Sequence, residues 1–412
     1  MKVRQGFVRG MMWLPLILML VMPVQAATLS GRASTVVEWF DTAEEETALP
    51  VYQYLQFSLM DMGGKGYNFK AYGRLAEDLQ DEVDIDSRLY YAYLEKKDIL
   101  GRLDFRLGRQ FISTTAGASL MDGLRFDYRF LDNYRIKLYG GGDVTYYENY
   151  TFDSNGVFGA ELGGLTLSDV VGFNLSYLQK WHDGVLGQEL LGLDLSYDRD
   201  GKFWAYGEFQ YDILSERTSY ALGGAKYLYD NSLSLRLEYL YSLPVFMSTS
   251  VYSVFAVDEY EEVLAEAVLK IFPDLQTYFR YVREMYVDFD DADVFEAGIE
   301  KLRTGKLYGY LSGTYRLDDD GQDLRGVKAY LNYRCGSGFS AGLGANVDVL
   351  ERSIAYFDSD NSEQDETTSS RLWADAKLEL TENIDLEAKY EYIESDLYDY
   401  YHRGRVRLNV FF

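Results

Sequence analysis

Residues 403–412 read Arg-Gly-Arg-Val-Arg-Leu-Asn-Val-Phe-Phe, and this stretch decides the fold. Successive side chains of an extended strand point to opposite faces, so alternate residues share a face. One face collects Gly404, Val406, Leu408, Val410 and Phe412. The other face carries Arg403, Arg405, Arg407 and Asn409. The pattern predicts a β-strand with one dry and one wet face that ends at an aromatic residue.

The same alternation recurs from Thr28 to Phe412 without a break long enough to be a domain linker. Apolar and polar residues alternate clearly over 233–241, 339–349, 372–380 and 384–392. Repeated strands of this kind predict an all-β chain, and a wet face opposite a dry face is typical of a transmembrane antiparallel β-barrel. A large soluble β-sandwich, or several in tandem, is the alternative interpretation of the same pattern.

The connections between the predicted strands alternate in length. Short turn sequences occur at 63–66, 131–133, 200–201, 230–232, 304–306, 336–338 and 381–383. Between them lie longer polar segments at 41–50, 78–87, 111–120, 144–155, 213–218, 242–260, 285–292, 317–324, 353–369 and 394–400. Short turns on one side and long loops on the other are expected of an outer-membrane barrel. We expect about 22 strands, within a range of about 18 to 22, and an even number places both termini on the periplasmic side.

The first 26 residues have the layout of a secretory signal peptide. Lys2, Arg4 and Arg9 form a basic head, an apolar run follows, and small residues precede Ala27. An uncleaved N-terminal anchor is the alternative, although the apolar run is short for a spanning helix. The sequence therefore predicts a signal peptide over 1–26 and a barrel over 27–412, with no plug domain before it.

The composition of the chain argues against several classes of function. The net charge of −26 argues against nucleic-acid binding. A single cysteine, Cys335, excludes an intramolecular disulfide and a multi-cysteine metal site. Tyrosine is abundant, with 38 residues, whereas proline occurs only 5 times. We interpret the tyrosines as residues of the membrane interface. A barrel with a dry outside and a wet inside also explains the weak mean hydropathy of −0.24.

The stretch 101–112, Gly-Arg-Leu-Asp-Phe-Arg-Leu-Gly-Arg-Gln-Phe-Ile, resembles a strand of general bacterial porins that leads into a loop over the pore. The strand that ends at Phe412 resembles the signal read by the barrel-assembly machinery of Gram-negative outer membranes. The resemblance implies localisation in the cell outer membrane, with lipid and lipopolysaccharide as surroundings. This chain departs from general porins in its strand number, because those resemble barrels of 16 or 18 strands.

The wet faces predict which charges line the lumen. The basic candidates are Lys70, Arg74, Arg102, Arg106, Arg125, Arg129, Arg135, Lys137, Arg403, Arg405 and Arg407. The acidic candidates are Asp194, Asp198, Glu208, Asp212, Glu262, Glu266, Glu296 and Glu300. Because the two sets occupy different strands, they predict opposed charge sectors and a field across the pore. The alternative is that each charge pairs with a neighbour and stiffens the wall.

Metal binding and catalysis have little support in the sequence. The acidic loop segments are interpreted as solvated tips, with divalent-cation binding as the alternative. Residues 318–323 only faintly resemble a calcium loop and lack the downstream glutamate. No nucleophile motif of the Gly-x-Ser-x-Gly type occurs, and only His182 and His402 are present. We therefore expect no enzyme activity, no metal and no cofactor.

Two functions agree with these observations. The first is a porin-like channel for passive diffusion of ions or small hydrophilic solutes. The second is the barrel sheath of a porin–cytochrome electron conduit, whose partner would be a periplasmic or lumenal multihaem cytochrome. A gated transporter needs a plug domain, and strand-like alternation begins too early for one. The apolar segment 242–260 is expected either to fold into the lumen or to dock a partner.

Overall fold

A computed structural model of the chain describes residues 27–42, 46–131, 133–144, 155–166, 170–244, 259–287, 290–318, 323–336, 338–353, 364–395 and 398–412. Every helical or extended element in these ranges is a β-strand. Within them, no helix is long and apolar enough to cross a membrane.

In these described ranges, 23 strands follow one another. They are β1 Thr28–Asp41, β2 Thr47–Ala48, β3 Pro50–Met62, β4 Tyr67–Asp78, β5 Arg88–Ile99, β6 Leu103–Thr114, β7 Gly117–Phe130, β8 Tyr134–Asp143, β9 Gly156–Thr166, β10 Val171–His182, β11 Val185–Arg199, β12 Phe203–Asp212, β13 Arg217–Leu228, β14 Leu233–Ser242, β15 Tyr260–Phe272, β16 Leu275–Tyr286, β17 Ala292–Lys301, β18 Leu307–Asp318, β19 Leu324–Cys335, β20 Phe339–Ser353, β21 Gln364–Thr381, β22 Ile384–Ser395 and β23 Tyr398–Phe411.

The strands belong to one antiparallel sheet. The first strand, β1, pairs with β3 on one side and with the last strand, β23, on the other. The strands from β3 to β6, and those from β7 to β20, each pair with the next strand in sequence. Since the first and last strands pair, the sheet closes into a barrel, and closure removes the free edges that an open sheet would expose.

The predicted fold class is confirmed as an all-β antiparallel barrel. Of the 23 strands, 22 are long, and β2 is a two-residue strand that pairs only with the end of β1. The prediction of a loop over 111–120 is wrong, because the ends of β6 and β7 occupy this segment with only two residues between them. Residues 1–26 and most of the segment 242–260, namely 245–258, lie outside the described residues, so their predictions remain untested.

By contacts, the chain forms two compact units. Unit 1 comprises residues up to Gln110, Asp375–Tyr390 and His402–Phe412, and unit 2 comprises Phe111–Ala374 and Glu391–Tyr401. In unit 1, a buried polar chain joins β1, β22 and β23: the Ser34 hydroxyl donates to the Asn409 side chain, and the Asn409 amide donates to Asp385, both at 2.6 Å. These two hydrogen bonds stabilise the pairing of the first strand with the last.

The two faces of the sheet differ in polarity, as the alternation predicts. In unit 2, Leu237, Leu311 and Leu343 are 58%, 51% and 68% exposed. A soluble protein rarely exposes so many large apolar side chains on one continuous surface, so this outer face is built to contact lipid. The alternate positions on the same strands carry the charged and amide side chains. They form the inner face.

Candidate functional site: the inner wall

In unit 1, the inner wall holds a buried carboxylate among three cations. Glu95 on β5 is 1% exposed, and its carboxylate contacts Arg106 on β6 at 2.7 Å. Lys70 on β4 lies 3.5 Å from the same carboxylate, and Lys97 on β5 lies at 3.8 Å. An isolated buried carboxylate would be costly, so these cations stabilise its charged form. The group has one negative and three positive charges, and it is therefore net basic.

In unit 2, the arginines of β7 and β8 are paired as well. The Arg125 guanidinium contacts Asp127, two residues further along the same face, at 2.7 Å. On β9, Glu161 accepts from both Arg135 and Lys137, at 3.2 and 2.9 Å. Side chains two apart on a strand, or opposite each other on paired strands, lie on one face. That spacing explains why these partners meet.

A longer chain of alternating charges crosses β14 to β17. Arg236 contacts Glu266 at 3.2 Å, Glu266 contacts Arg280 at 2.7 Å, and Arg280 contacts Glu296 at 3.1 Å. The register of the strands explains these ion pairs. Arg236 and Arg280 both lie opposite Glu266, and Arg280 also lies opposite Glu296. Four strands are thus joined by ion pairs in addition to their backbone ladders.

The predicted lining residues all lie in described strands except Arg102, which is in the exposed turn before β6. Some have local roles: Asp212 is 4% exposed and accepts hydrogen bonds from Leu214 and Ser215, so it shapes the loop after β12. Asp198 accepts from the Gly201 amide at 3.0 Å. The structure places Asp194 with Asn174, Glu262 with Tyr260 and Glu300 with Gln276.

Basic and acidic side chains are therefore interleaved where the structure gives their contacts. Glu95, Asp127 and Glu161 bring negative charge among the predicted basic residues, while Arg236 and Arg280 bring positive charge among the acidic ones. These five are absent from the predicted lining residues, although each is on the polar face of an alternating strand. Their contacts support local pairing over separate sectors. That the predicted residues line a pore stays a prediction.

A second feature of the inner wall is the hairpin tip formed by residues 112–121, where β6 turns into β7. Ile112, Ala116 and Met121 are each at most 1% exposed. They pack in one apolar cluster with side chains from four strands that follow, namely Tyr139, Val157, Leu178 and Leu190. Leu178 shares its face with Ser176 and Lys180, whereas Leu175 on the opposite face is 47% exposed. The hairpin tip therefore folds against the inner face.

Polar contacts fix the hairpin tip in place. The Ala116 amide donates to the Ser176 hydroxyl on β10 at 2.8 Å, and the Gln210 amide on β12 donates to the Thr115 carbonyl at 3.0 Å. The tip also approaches the wall closely: a Cβ at Gly192 on β11 would lie 2.2 Å from the Ala116 nitrogen. Only glycine leaves room for this contact. The tip thus covers part of the wall from β8 to β12.

Among the described residues, no group of three or more histidine, cysteine, aspartate or glutamate side chains could hold a metal ion. His182 lies beside Asp183 at 3.7 Å, with the carboxylate largely exposed. His402 donates its backbone amide to Asp41 at 2.8 Å and contacts Tyr390, so it belongs to the packing of unit 1.

Comparison with known proteins gives similarity of structure only. No protein-family model matches the sequence, and no curated protein matches it. Among solved structures, Pseudomonas aeruginosa OpdQ is 10% identical, with 94% of this chain and 99% of that chain covered and a TM-score of 0.46. The P pilus usher (PapC) translocation pore is 10% identical over 93% and 99%, with a TM-score of 0.49.

The outer membrane protein OprD from Pseudomonas aeruginosa is 8% identical, with 95% of this chain and 96% of that chain covered and a TM-score of 0.44. These identities and TM-scores do not establish membership of a family.

Proposed function

We propose that this protein is an outer-membrane channel for passive diffusion of ions and small hydrophilic solutes. The closed sheet with an apolar outer face and a charged inner face carries the proposal. In hydrocarbon, every backbone polar group needs an internal partner, and a closed barrel supplies one. Barrels of this type reside in Gram-negative outer membranes, and their polar interior holds water.

The interleaved ion pairs suit a water-filled path. Charges such as Arg280 and Glu296 lie on the inner face, where they remain partly exposed. A hydrated ion passing along such a wall meets both signs of charge within a few residues. We therefore expect modest ion selectivity, in contrast to the strong transverse field that separate sectors would create.

The hairpin tip of residues 112–121 supplies a narrowing element. A barrel of about 22 strands is wide enough that known examples contain a plug. In this chain, the tip occupies inner-wall surface over β8 to β12. A cytochrome that filled the lumen would need that surface, so the channel is favoured over the electron-conduit sheath.

The contacts of the barrel with the outer membrane are proposed from the charges on its outer face. On the outer face of β16, Arg283 pairs with Asp291 and Asp293, both at 2.9 Å, close to the loop between β16 and β17. Charges on the outer face are tolerated near the headgroups and are costly at the midplane. We therefore propose contact with lipopolysaccharide at this end. Recognition of the strand ending at Phe412 by the barrel-assembly machinery remains a proposal from the sequence.

Planar-bilayer recording tests the channel. The folded protein, added in detergent to one chamber, should produce stepwise increases in current that depend on salt concentration. Protein heated until its electrophoretic mobility is that of the unfolded chain is the control and should give no steps. A folded barrel without measurable conductance would contradict the proposal and would favour a filled lumen.

A further inference from the structure

Six tyrosines form a continuous cluster on the inner face of β3, β4 and β5 in unit 1, where a register shift beside Tyr72 brings the consecutive Tyr90 and Tyr91 both into contact with its ring. This tyrosine row comprises Tyr52, Tyr54, Tyr72, Tyr90, Tyr91 and Tyr93. Tyr54 lies opposite Arg74, and Tyr91 lies two residues from Tyr93 and four from the buried Glu95, so these rings share the charged face. Tyrosines at the membrane interface would point outward. The composition-based interpretation therefore does not apply to this row.

The rings touch one another in sequence across the strands. Tyr52 and Tyr54 have centroids 6.0 Å apart, and Tyr54 and Tyr72 are stacked at 6.3 Å. Tyr72 stacks on Tyr90 at 4.6 Å and contacts Tyr91 at 5.8 Å. Apart from the buried Tyr52, the rings are half-buried. A row of partly exposed rings offers apolar surface together with phenol hydroxyls that can donate and accept hydrogen bonds.

Two arginines beside the row are engaged with its rings and with neighbouring groups. Arg74 lies over the Tyr52 ring at 5.0 Å and donates to the Asp86 carbonyl at 3.3 Å. Arg106 lies over the Tyr93 ring at 4.9 Å and pairs with Glu95. The middle of the row presents the rings of Tyr54, Tyr72 and Tyr90 and a Gln56 amide that donates to the Tyr91 hydroxyl at 2.9 Å. Arg32, which lies opposite Gln56, and Arg407 bring positive charge beside Tyr72 and can donate hydrogen bonds to a hydroxyl-rich solute.

We infer that the tyrosine row is a binding surface for neutral, hydroxyl-rich ring compounds, that is, saccharides, as they pass through the channel. The C–H face of a sugar ring packs on an aromatic ring, and its hydroxyls pair with phenol and amide groups. Aromatic walls with a few placed polar groups are typical of small-molecule sites. The inference rests on the proposed channel function and names a solute class for it.

Current block by the neutral oligosaccharide maltohexaose tests the inference. The wild-type channel should lose current in a concentration-dependent, saturable way. Tyr72→Ala should raise the half-blocking concentration about tenfold, the loss expected for one stacking ring. Tyr72→Phe keeps the ring and should retain most of the block. The control is Tyr227→Ala, which removes a tyrosine that is 43% exposed on β13 and should leave the block unchanged.

Several results would overturn the inference while leaving the channel function intact. These are a conducting wild type that maltohexaose does not block, a block that Tyr72→Ala leaves unaltered, or a tyrosine-dependent block by benzoate alone. If the folded protein does not conduct, the channel proposal fails instead. Titration calorimetry in a detergent without a sugar headgroup then decides the binding question, because maltohexaose should bind wild type and bind Tyr72→Ala about tenfold more weakly.

Discussion

Glu95 illustrates how a single residue shapes the inner wall. Its carboxylate is 1% exposed and has Arg106 at 2.7 Å and Lys70 at 3.5 Å. A buried charge of this kind is retained only when its partners replace the water it has lost. The sequence places Lys70 and Arg106 on polar faces but does not identify Glu95 as their shared partner, because that depends on the register between three strands.

Replacing this carboxylate should change ion selectivity. Glu95→Gln keeps the shape of the side chain but leaves Lys70, Lys97 and Arg106 without their negative partner. The reversal potential across a salt gradient should therefore shift toward anion selectivity. Glu216→Gln, the same change in the exposed loop before β13, is the matched control and should shift it little. An unchanged potential in a folded Glu95→Gln channel would mean that this cluster serves only the wall.

At the scale of elements, the alternation of apolar and polar residues predicts where the strands lie. It does not predict where a segment departs from the regular order of strand and loop. The long strands follow from the period of two, and short turns follow from residues such as Gly63 and Gly64, whose positive φ of 66° suits glycine. The polar sequence of 111–120 predicts a long loop, whereas the structure has the hairpin tip of residues 112–121 there. Its position depends on Leu178 and Leu190, more than 50 residues later, and no local pattern encodes such contacts.

Crowding the contact between hairpin and wall should loosen the hairpin tip. In Gly192→Ala the new Cβ would lie 2.2 Å from the Ala116 nitrogen and 2.4 Å from the Thr115 carbonyl carbon. These are backbone atoms, so no side-chain rotation relieves the clash. We expect a loss of about 1–3 kcal/mol in the free energy of unfolding, as for other overpacked sites. Open-channel current noise should increase as well.

The matched control for this change is Gly223→Ala on β13. A Cβ there meets no atom within 4 Å, so stability should not fall and the current should remain quiet. Equal stability and equal noise in the two variants would show that the hairpin tip does not depend on close contact with β11.

At the scale of the whole molecule, the barrel was predictable because each strand repeats the same signal. The lumen was not, since the tyrosine row and the ion pairs arise only when strands distant in sequence are brought into register. Tyrosine is compatible with a membrane interface and with a polar lumen, so its abundance alone does not decide its location. On β3, the Tyr54 ring lies on the inner face and the Phe57 ring on the opposite face, so the position along the strand decides where an aromatic ring points.

The topology predicts which connections face the cell exterior. Gly31 and Phe412 lie together, with the Gly31 amide donating to the Phe412 carbonyl at 2.8 Å. The predicted signal peptide would place this end in the periplasm. An epitope inserted at Glu216 should then bind antibody on intact cells. One inserted at Gly336, in the turn after β19, should bind only after the outer membrane is permeabilised. The reverse pattern of labelling would invert the proposed orientation.

Insertion into lipid should make the barrel sensitive to charge on one face and tolerant of it on the other. Leu343 on β20 is 68% exposed on the outer face. Leu343→Arg should lower the free energy of unfolding from lipid vesicles by about 2–4 kcal/mol, the cost of arginine near the bilayer midplane. Asn346, on the same strand, is on the inner face with Asp348. Asn346→Arg is therefore the control and should cost little, because water and a carboxylate receive the new charge. Equal losses from the two substitutions would contradict the assignment of the two faces and, with it, the membrane-spanning barrel.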